Sequence, residues 1–409
     1  MEIFPIDVVV VHSDGTTVKE EPTQKDLGQY FTTSHELQKY VFDKVKNKGE
    51  LLLEPSFGAG HLVQLFKEYK NDYPMHLYEL DTTVEPVIKI NKNQVVRYGD
   101  FTTAKINQKY KTVIGNPPYV KRKGTYNLYI KFIELCYEYL SDDGELIFIV
   151  PSDFIKLTSA SSIIQKMVLS GSFTHFLFPD DETLFKNANV DVVIFRYEKG
   201  CKNDKSILSR FLPGRIQEDK EVYCNVKNGI ITFSEDKEKE GKCIDELFDI
   251  YVGIVSGKDE VYKVPFGNIE VLTDKDRVDK FIFIKEFPSE NEYINTHLLN
   301  NKEELLERKI KKFTDKNWFE WGAPRNIKTI ENNLGKPCIY VKNMTRQKDI
   351  AFIGEVQYFG GTLLCLIPKD KINLKETVQY LNTELFKKDY TYSGRFKIGH
   401  KQLSNALLK

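Results

Sequence analysis

The feature that most constrains the fold is an alternation of short apolar segments with amphipathic stretches between residues 34 and 198. Short apolar runs that alternate with helical patterns predict a mostly parallel sheet with helices on both faces. The last two strands follow each other closely, which predicts an antiparallel hairpin at the sheet edge. The expected fold class is α/β, with a doubly wound, mostly parallel seven-stranded sheet. The predicted helices are His35–Val45, His61–Tyr69, Leu128–Leu140 and Leu374–Lys388, the predicted strands are Leu51–Leu53, His76–Leu80, Val95–Tyr98, Thr112–Ile114, Leu146–Val150, Phe173–Phe178 and Val190–Arg196, and a hairpin of Val8–Val11 with Thr16–Val18 precedes them.

The chain is expected to hold two domains after a polar N-terminal arm. It has 409 residues, whereas a single hydrophobic core stops growing at about 250–300 residues. The arm is predicted at 1–27, the first domain at 28–242 and the second domain at 243–409. Residues 199–242 are rich in Lys, Glu, Asp and Gly, and we interpret them as a solvated connection.

Composition indicates a soluble globular protein in a reducing compartment. The chain is 41% hydrophobic and 29% charged, and no apolar run has the length of a membrane span. The N-terminus has no basic segment of the secretory kind, so we expect a cytoplasmic protein without a membrane partner. The six cysteines include no Cys-x-x-Cys pair, which predicts reduced thiols and no metal site.

The charge is balanced overall but unevenly distributed. Residues 311–409 contain 18 Lys and Arg against 9 Asp and Glu, so this segment carries +9 and the preceding 310 residues carry −9. Such a surplus fits a surface that meets phosphates, and a solvated lysine-rich face is the alternative.

The segment Asn116-Pro117-Pro118-Tyr119 follows a predicted strand and suits the binding of a planar NH2 group. The Asn116 side-chain oxygen and the Pro117 carbonyl are acceptors for two amine hydrogens. The two prolines restrict the backbone and hold these acceptors in place. Tyr119 offers a flat face on which a base can stack. The segment therefore favours methylation of an amine, and a simple proline turn after a strand is the alternative.

Other strand ends carry residues that suit a nucleoside-like cofactor. The first strand ends in Glu54-Pro55-Ser56-Phe57-Gly58-Ala59-Gly60, in which Gly58 and Gly60 permit a tight turn. Glu79 ends the second strand, where a carboxylate can accept hydrogen bonds from ribose hydroxyls. Asp100 and Phe101 follow the third, and suit an adenine amino group and ring. Open α/β sheets bind ligands at these strand ends, although each acid alone is more often a turn or cap residue.

These motifs, in this order, resemble the γ-type S-adenosylmethionine-dependent DNA adenine-N6 methyltransferases, the type II restriction-modification family typified by the Taq methyltransferase. The resemblance covers residues 28–198 and departs from the family pattern at Phe57. It also rests on Thr125–Tyr129 and Ile149–Phe154. It implies cofactor contacts at Tyr30, Phe31, Thr32, Glu54, Pro55, Ser56, Phe57, Gly58, Gly60, Glu79, Asp100, Phe101, Asn116 and Pro118, and catalytic roles for Asn116, Pro117, Pro118, Tyr119 and Phe185, whose ring is expected opposite Tyr119 across the extruded base.

Beyond residue 243 the resemblance is limited to Val252–Asp259 and Tyr392–Gly399, which look like parts of an α+β target-recognition domain. The candidate contacts to double-stranded DNA are Arg325, Arg346, Arg395 and Lys397. The resemblance implies a Rossmann-like methyltransferase that modifies an extruded adenine at a specific site and acts as a monomer in a prokaryotic or viral host compartment. A cognate restriction endonuclease, where one exists, would be a separate protein. Open alternatives are methylation of RNA or of a protein glutamine, and a nonenzymatic DNA-binding module. A dehydrogenase is disfavoured because the glycine loop is not Gly-x-Gly-x-x-Gly.

Overall fold

The structure is a computed structural model. It describes residues 8–11, 17–20, 32–120, 127–179, 191–212, 215–235, 237, 241–308, 310–392 and 395–408. The chain divides into two compact units, Met1–Lys237 and Glu238–Lys409. No helix within the described ranges has the length and hydropathy needed to span a membrane.

A ten-stranded sheet forms the centre of the first unit. Seven of its strands are β3 (Leu52–Glu54), β4 (Met75–Glu79), β5 (Gln94–Tyr98), β6 (Tyr110–Gly115), β7 (Leu140–Pro151), β8 (Gly171–Pro179) and β9 (Val192–Lys199). They run in the spatial order β5-β4-β3-β6-β7-β9-β8, in which β9 alone is antiparallel to its neighbours. The strand order reverses between β3 and β6, and this reversal confirms the doubly wound Rossmann-like fold class. A hairpin of β1 (Val8–Val11) and β2 (Thr17–Glu20) confirms the one predicted in the N-terminal arm.

Helices and short 3-10 turns connect these strands. Ser34 caps the first helix by accepting a hydrogen bond from the Leu37 N–H at 3.4 Å. The helix Ser161–Ser170 was not predicted from the sequence. The helices are α1 (His35–Lys44), α2 (Gln64–Tyr69), α3 (Leu128–Tyr139) and α4 (Ser161–Ser170), and the 3-10 turns are His61–Val63, Phe101–Thr103, Ser152–Lys156 and Thr158–Ala160.

The interpretation of residues 199–242 as a solvated connection was wrong. Three strands extend the sheet beyond β8, namely β10 (Lys205–Leu212), β11 (Arg215–Lys227) and β12 (Ile230–Ser234). Asn228 and Gly229 join the last two with φ angles of 54° and 72°, which is the geometry of a type I′ hairpin turn. The β8–β9 pair is antiparallel as predicted, but β10 pairs with β8, so that pair does not lie at the sheet edge.

A buried ion pair anchors the sheet near the middle of β7. Glu145 is fully buried and accepts hydrogen bonds from Nη2 and Nε of Arg196 at 2.7 and 3.1 Å. The other carboxylate oxygen accepts from the backbone N–H groups of Lys46 and Asn47 at 3.0 and 2.9 Å. These bonds satisfy both oxygens of the carboxylate. They also connect the segment after α1 to β7 and β9.

The second unit is α+β. Its four-stranded antiparallel sheet has the spatial order β14 (Phe248–Val252), β20 (Leu363–Pro368), β17 (Pro337–Lys342) and β19 (Ala351–Glu355). The predicted helix Leu374–Lys388 is two helices, because Thr383 caps the second by accepting from the Phe386 N–H at 3.3 Å. The elements are β13 (Lys242–Cys243), α5 (Ile244–Leu247), β14 (Phe248–Val252), α6 (Asp259–Tyr262), β15 (Ile269–Asp274), β16 (Arg277–Phe281), α7 (Glu292–Asn300), α8 (Lys302–Leu306), α9 (Ile327–Asn333), β17 (Pro337–Lys342), β18 (Met344–Thr345), β19 (Ala351–Glu355), β20 (Leu363–Pro368), α10 (Leu374–Leu381), α11 (Glu384–Lys387), β21 (Thr391–Tyr392), β22 (Arg395–Lys397), α12 (His400–Asn405) and β23 (Leu407–Leu408).

Candidate active site

Four of the predicted site segments meet at one edge of the sheet. Glu54 ends β3, Glu79 ends β4, Asp100 follows β5, and Asn116 follows β6. The strands β5, β4, β3 and β6 are neighbours in that order and run parallel, so their carboxyl ends lie side by side. The strand order reverses between β3 and β6, and open α/β sheets bind ligands at the carboxyl ends of the strands beside such a reversal.

The glycine loop after β3 is held tightly against β4. The Phe57 N–H donates to the Tyr78 carbonyl at 2.8 Å, and the Gly58 N–H donates to Oε2 of Glu79 at 2.6 Å. Gly60 has a φ of +85°, and a Cβ there would lie 2.6 Å from the Phe57 ring. Phe57, where the family pattern is broken, is thus a buried residue that fills the space left by Gly60.

Two buried polar atoms at the start of this loop have no hydrogen-bond partner among the residues that the structure describes. They are Oε2 of Glu54, a side chain only 1% exposed, and Oγ of Ser56. Burial and the neighbouring Glu79 carboxylate raise the pKa of Glu54 well above its ordinary value. Buried polar groups are normally satisfied, so unpaired atoms in a glycine loop fit a ligand that brings its own donors. These residues fit S-adenosylmethionine, whose amino and ribose hydroxyl groups are donors.

Both carboxylate oxygens of Glu79 accept backbone hydrogen bonds in the free protein. Its Oε1 accepts from the Asp81 N–H at 2.8 Å, and its Oε2 accepts from Gly58. Burial raises the pKa of Glu79, while the backbone N–H groups of Asp81, Gly58 and Leu80 act in the opposite direction. Each carboxylate oxygen has more than one lone pair, so these bonds are compatible with the predicted ribose contact.

Asp100 and Phe101, which were predicted to bind the adenine of the cofactor, already contact other residues of the first unit. Oδ1 of Asp100 accepts from the backbone N–H and the hydroxyl of Thr102 at 2.9 and 2.6 Å, which makes Asp100 the cap of the 3-10 turn. The Phe101 ring is 2% exposed and stacks on Phe132 with a centroid distance of 5.3 Å. In the free protein Phe101 is therefore a core residue, and its contact with a cofactor stays a prediction.

The Asn116 amide is bonded at both ends. Nδ2 donates to Oγ1 of Thr32 at 3.0 Å, and Oδ1 accepts from the Tyr119 hydroxyl at 2.6 Å. The Tyr119 hydroxyl also lies 3.1 Å from the Ile149 carbonyl on β7. The half-buried amide thus directs its oxygen toward the tyrosine and its nitrogen toward Thr32.

The other residues of the Asn116–Tyr119 segment are buried or half-buried. Pro117 is buried, Pro118 and Tyr119 are half-buried, and the Tyr119 ring meets the edge of Tyr129 at a centroid distance of 6.3 Å. A Cβ on Gly115 would lie 3.3 Å from Cδ of Pro55. The ends of β3 and β6 are consequently in close contact.

Some predictions fall outside the described residues. Tyr30, Phe31 and Phe185 belong to the ranges 21–31 and 180–190, of which the structure describes nothing. Their roles stay predictions. The bond between Thr32 and Asn116 was not predicted, because residues 84 positions apart in sequence carry no local signal of a contact.

The candidate DNA contacts in the second unit differ in exposure. Arg325 and Arg346 are exposed, and Arg395 is partly exposed on β22 beside β18. Lys397 is only 7% exposed in the free protein, and its contact with DNA stays a prediction. Arg346 and Arg395 lie on or next to paired strands, whereas Arg325 precedes α9.

Comparison with known proteins gives matches in both sequence and fold. Residues 61–185 match the family model of the Eco57I restriction-modification methylases. The type II methyltransferase M.HindII of Haemophilus influenzae is 25% identical over 449 residues, covering 90% of this chain and 84% of that protein. The type II methyltransferase M.HincII of Haemophilus influenzae is 31% identical over 210 residues, covering 45% of this chain and 40% of that protein.

Among solved structures, the type IIL restriction-modification enzyme MmeI, solved in complex with DNA, is similar with a TM-score of 0.60. The similarity covers 94% of this chain and 69% of that chain at 9% identity, and it therefore concerns the fold.

Proposed function

We propose that the chain methylates N6 of adenine in duplex DNA, starting from its similarity to type II methyltransferases and to the Eco57I restriction-modification methylases. The observation that carries the proposal is the orientation of the Asn116 amide at the end of β6, with its oxygen toward Tyr119. An amide oxygen beside an aromatic ring is what a pocket for a stacked base with an exocyclic amine requires.

In this proposal two acceptors bind the target amine. Oδ1 of Asn116 and the Pro117 carbonyl take its two hydrogens and draw them out of the plane of the base. The nitrogen lone pair then becomes available for attack rather than delocalised into the ring. S-adenosylmethionine, when bound, supplies a methyl group on a positively charged sulfur. The protein positions the amine, and no strong general base is needed because the methylated nitrogen readily loses a proton to water.

The target adenine must leave the double helix to reach Asn116. A base inside a duplex is inaccessible to such a site, so enzymes of this chemistry extrude it. Stacking on an aromatic side chain replaces about 1–3 kcal/mol of the lost interactions. We assign this role to Tyr119, which is half-buried in the free protein. Phe185 is proposed as the second stacking residue.

We assign contact with the DNA backbone to the second unit. It includes residues 311–409 with their surplus of nine positive charges, and Arg325 and Arg346 are exposed. Basic side chains supply the sequence-independent part of DNA affinity, and that part depends on salt. A monomeric state and a separate endonuclease remain predictions.

The proposal is tested by incubating the full chain with S-adenosylmethionine labelled in its methyl group. Duplex DNA, RNA and a mixture of unrelated proteins are supplied in separate reactions. We expect label in DNA only. Label in RNA or in protein but not in DNA would reject the proposal in favour of another amino-group methyltransferase. Cofactor binding without transfer to any of them would indicate a nonenzymatic module.

A further inference from the structure

We propose that the hydroxyl of Tyr129 binds the extruded base by donating a hydrogen bond to a ring nitrogen of the target adenine. This inference rests on the proposed function, because the adenine is the substrate of that reaction. It adds a group that contacts the edge of the base ring to the groups assigned above to its amine and to its stacking face.

The hydroxyl of Tyr129 is buried without a hydrogen-bond partner among the residues that the structure describes. The side chain is only 2% exposed, so the hydroxyl is also shielded from solvent. Nearly all buried polar groups in proteins are paired, and an unpaired one destabilises the folded chain. Such a hydroxyl next to a substrate site fits a group whose partner arrives with the substrate.

Tyr129 lies beside the ring on which the base is proposed to stack. It belongs to the first turn of α3, and the rings of Tyr119 and Tyr129 meet at a centroid distance of 6.3 Å and an angle of 82°. The Leu128 N–H donates to the carbonyl of Val120 at 2.9 Å. The start of α3 is therefore held against the residue that follows Tyr119.

Two neighbours locate the hydroxyl itself. Burial raises the pKa of Tyr129, Asn127 acts in the opposite direction, and the Asp153 carboxylate raises it further. Neither neighbour has the geometry of a hydrogen-bond partner. Asn127 directly precedes α3, and Asp153 lies in the 3-10 turn after β7. The hydroxyl is thus close to the carboxyl end of β7 and to the start of α3.

This position favours the target base over the cofactor. The glycine loop and the acidic strand ends belong to β3, β4 and β5, which lie on one side of β6 in the sheet. β7 lies on the other side of β6 and pairs with it. Since Asn116 follows β6, Tyr129 and the glycine loop approach the Asn116 segment from opposite sides.

A bond from Tyr129 would fix the base in its plane. Stacking on Tyr119 leaves a base free to rotate, and the two amine acceptors hold it at N6 alone. Adenine carries acceptor nitrogens in its ring, and a phenol hydroxyl is a donor. A second polar contact restricts rotation of the base about N6 and so keeps the amine aligned for transfer.

Burial in the free protein strengthens this contact. The hydroxyl has already lost its contact with solvent, so its bond to the base involves little further desolvation of the enzyme. Binding of the base requires the side chains around the hydroxyl, Tyr119 among them, to rearrange. The unpaired hydroxyl therefore destabilises the free protein and favours the complex.

The experiment compares Tyr129→Phe with Tyr40→Phe in the full chain. Each variant keeps the ring and removes one buried hydroxyl. Tyr40 is the matched control, because it is 6% exposed and its hydroxyl also has no hydrogen-bond partner among the described residues. That hydroxyl neighbours Ser209 and Arg196, on β10 and β9, rather than the Asn116–Tyr119 segment.

Four DNA duplexes serve as substrates, after the methylated site has been mapped by sequencing. They carry adenine, 1-deazaadenine, 3-deazaadenine or 7-deazaadenine at the target position, so each analogue lacks one ring nitrogen. Steady-state methylation gives kcat/KM, titration with S-adenosylmethionine gives the cofactor Kd, and urea unfolding gives the midpoint of each variant. The ratio of wild type to variant cancels the intrinsic reactivity of each analogue.

We expect both variants to have a higher urea midpoint than the wild type, because each loses an unpaired buried hydroxyl. Tyr129→Phe should lower kcat/KM on adenine about tenfold, whereas Tyr40→Phe should leave it unchanged. The cofactor Kd should change less than about twofold in both. The ratio of wild type to Tyr129→Phe should fall to about one on the analogue that lacks the bonded nitrogen.

The same ratio on all four substrates, or full activity of Tyr129→Phe on adenine, would overturn the inference. A lowered urea midpoint in Tyr129→Phe would also overturn it, because the hydroxyl would then have a partner in the free protein. A weakened cofactor Kd with unchanged transfer at saturating cofactor would make Tyr129 a cofactor contact instead. If the wild-type chain methylated no adenine, the proposed function would fail and this inference with it, whereas the other outcomes leave the proposed function intact.

Discussion

The hydroxyl of Tyr119 donates to Oδ1 of Asn116 at 2.6 Å, so in the free protein the proposed amine acceptor already has a donor. The amine must share this oxygen with the tyrosine or displace the tyrosine from it. The tyrosine thus has two opposing effects. Its ring favours base binding by stacking, and its hydroxyl competes with the amine for the same acceptor.

Tyr119→Phe separates these effects, because it keeps the ring and removes the competing donor. One hydrogen bond contributes about 0.5–1.5 kcal/mol net, so we expect kcat/KM on DNA to stay at or rise a few-fold above the wild-type value. Tyr119→Ala should lower it at least about tenfold through lost stacking. Steady-state methylation assays measure both. If the phenylalanine variant were as impaired as the alanine variant, the hydroxyl rather than the ring would be the essential group.

Glu54 should make stability depend on pH. Burial and Glu79 raise its pKa in the folded state, so between its unfolded and folded pKa values the native chain binds more protons than the unfolded one. The free energy of unfolding therefore falls as pH rises through that interval, by about 1.4 kcal/mol for each unit of pKa difference.

Glu54→Gln removes this titration. We expect its unfolding free energy to fall less than that of the wild type as pH rises above the ordinary titration range of glutamate, while its affinity for S-adenosylmethionine decreases. Urea unfolding at several pH values checks the first result, and a cofactor titration checks the second. A steeper decrease with pH in the variant would show that the buried carboxyl is not the group that titrates.

The ion pair of Glu145 with Arg196 should be essential to the first unit. Glu145→Gln leaves Arg196 buried without this carboxylate, and breaking such a pair costs about 3 kcal/mol. Lys39→Ala is the matched control, since Lys39 pairs with Asp43 on the surface at 2.5 Å and should change stability by less than about 0.5 kcal/mol. Denaturant unfolding followed by circular dichroism measures both. Equal effects of the two variants would contradict the assignment.

Exposed and buried basic residues of the second unit should respond differently. Arg346→Ala should weaken DNA binding and reduce the slope of log K against log salt by about 1, without loss of stability. Lys397→Ala should instead destabilise the unit, because Lys397 is 7% exposed. Both tryptophans, Trp318 and Trp321, lie in this unit, so their fluorescence during unfolding reports its stability. A Lys397→Ala chain of normal stability with a reduced salt slope would instead make Lys397 a DNA contact.

The sheet was predictable because its central strands are buried on both faces. Such strands are continuous apolar runs, and β4 was expected at His76–Leu80 and lies at Met75–Glu79. The β10–β12 extension was missed because the abundance of charged residues in 199–242 outweighed the alternation within it. The Asn228-Gly229 dipeptide was the available signal, since that pair favours type I′ hairpins.

The site was predictable only where local sequence determines it. Glu54, Glu79 and Asp100 follow from strand ends, and the structure brings them to one edge. The Thr32–Asn116 bond depends on tertiary packing between segments 84 residues apart. The burial of Phe101 against Phe132 has the same origin, since the aromatic partner comes from a helix that is distant in sequence.

The most direct test of the central claim is nucleoside analysis of DNA methylated by the wild-type chain and by Asn116→Ala. After incubation with S-adenosylmethionine, the DNA is digested to nucleosides and analysed by mass spectrometry. We predict N6-methyldeoxyadenosine with the wild-type chain and at least a hundredfold less, or about 2.7 kcal/mol of lost transition-state stabilisation, with Asn116→Ala. Methylated cytosine instead of adenine, or equal N6-methyldeoxyadenosine from both proteins, would contradict the account.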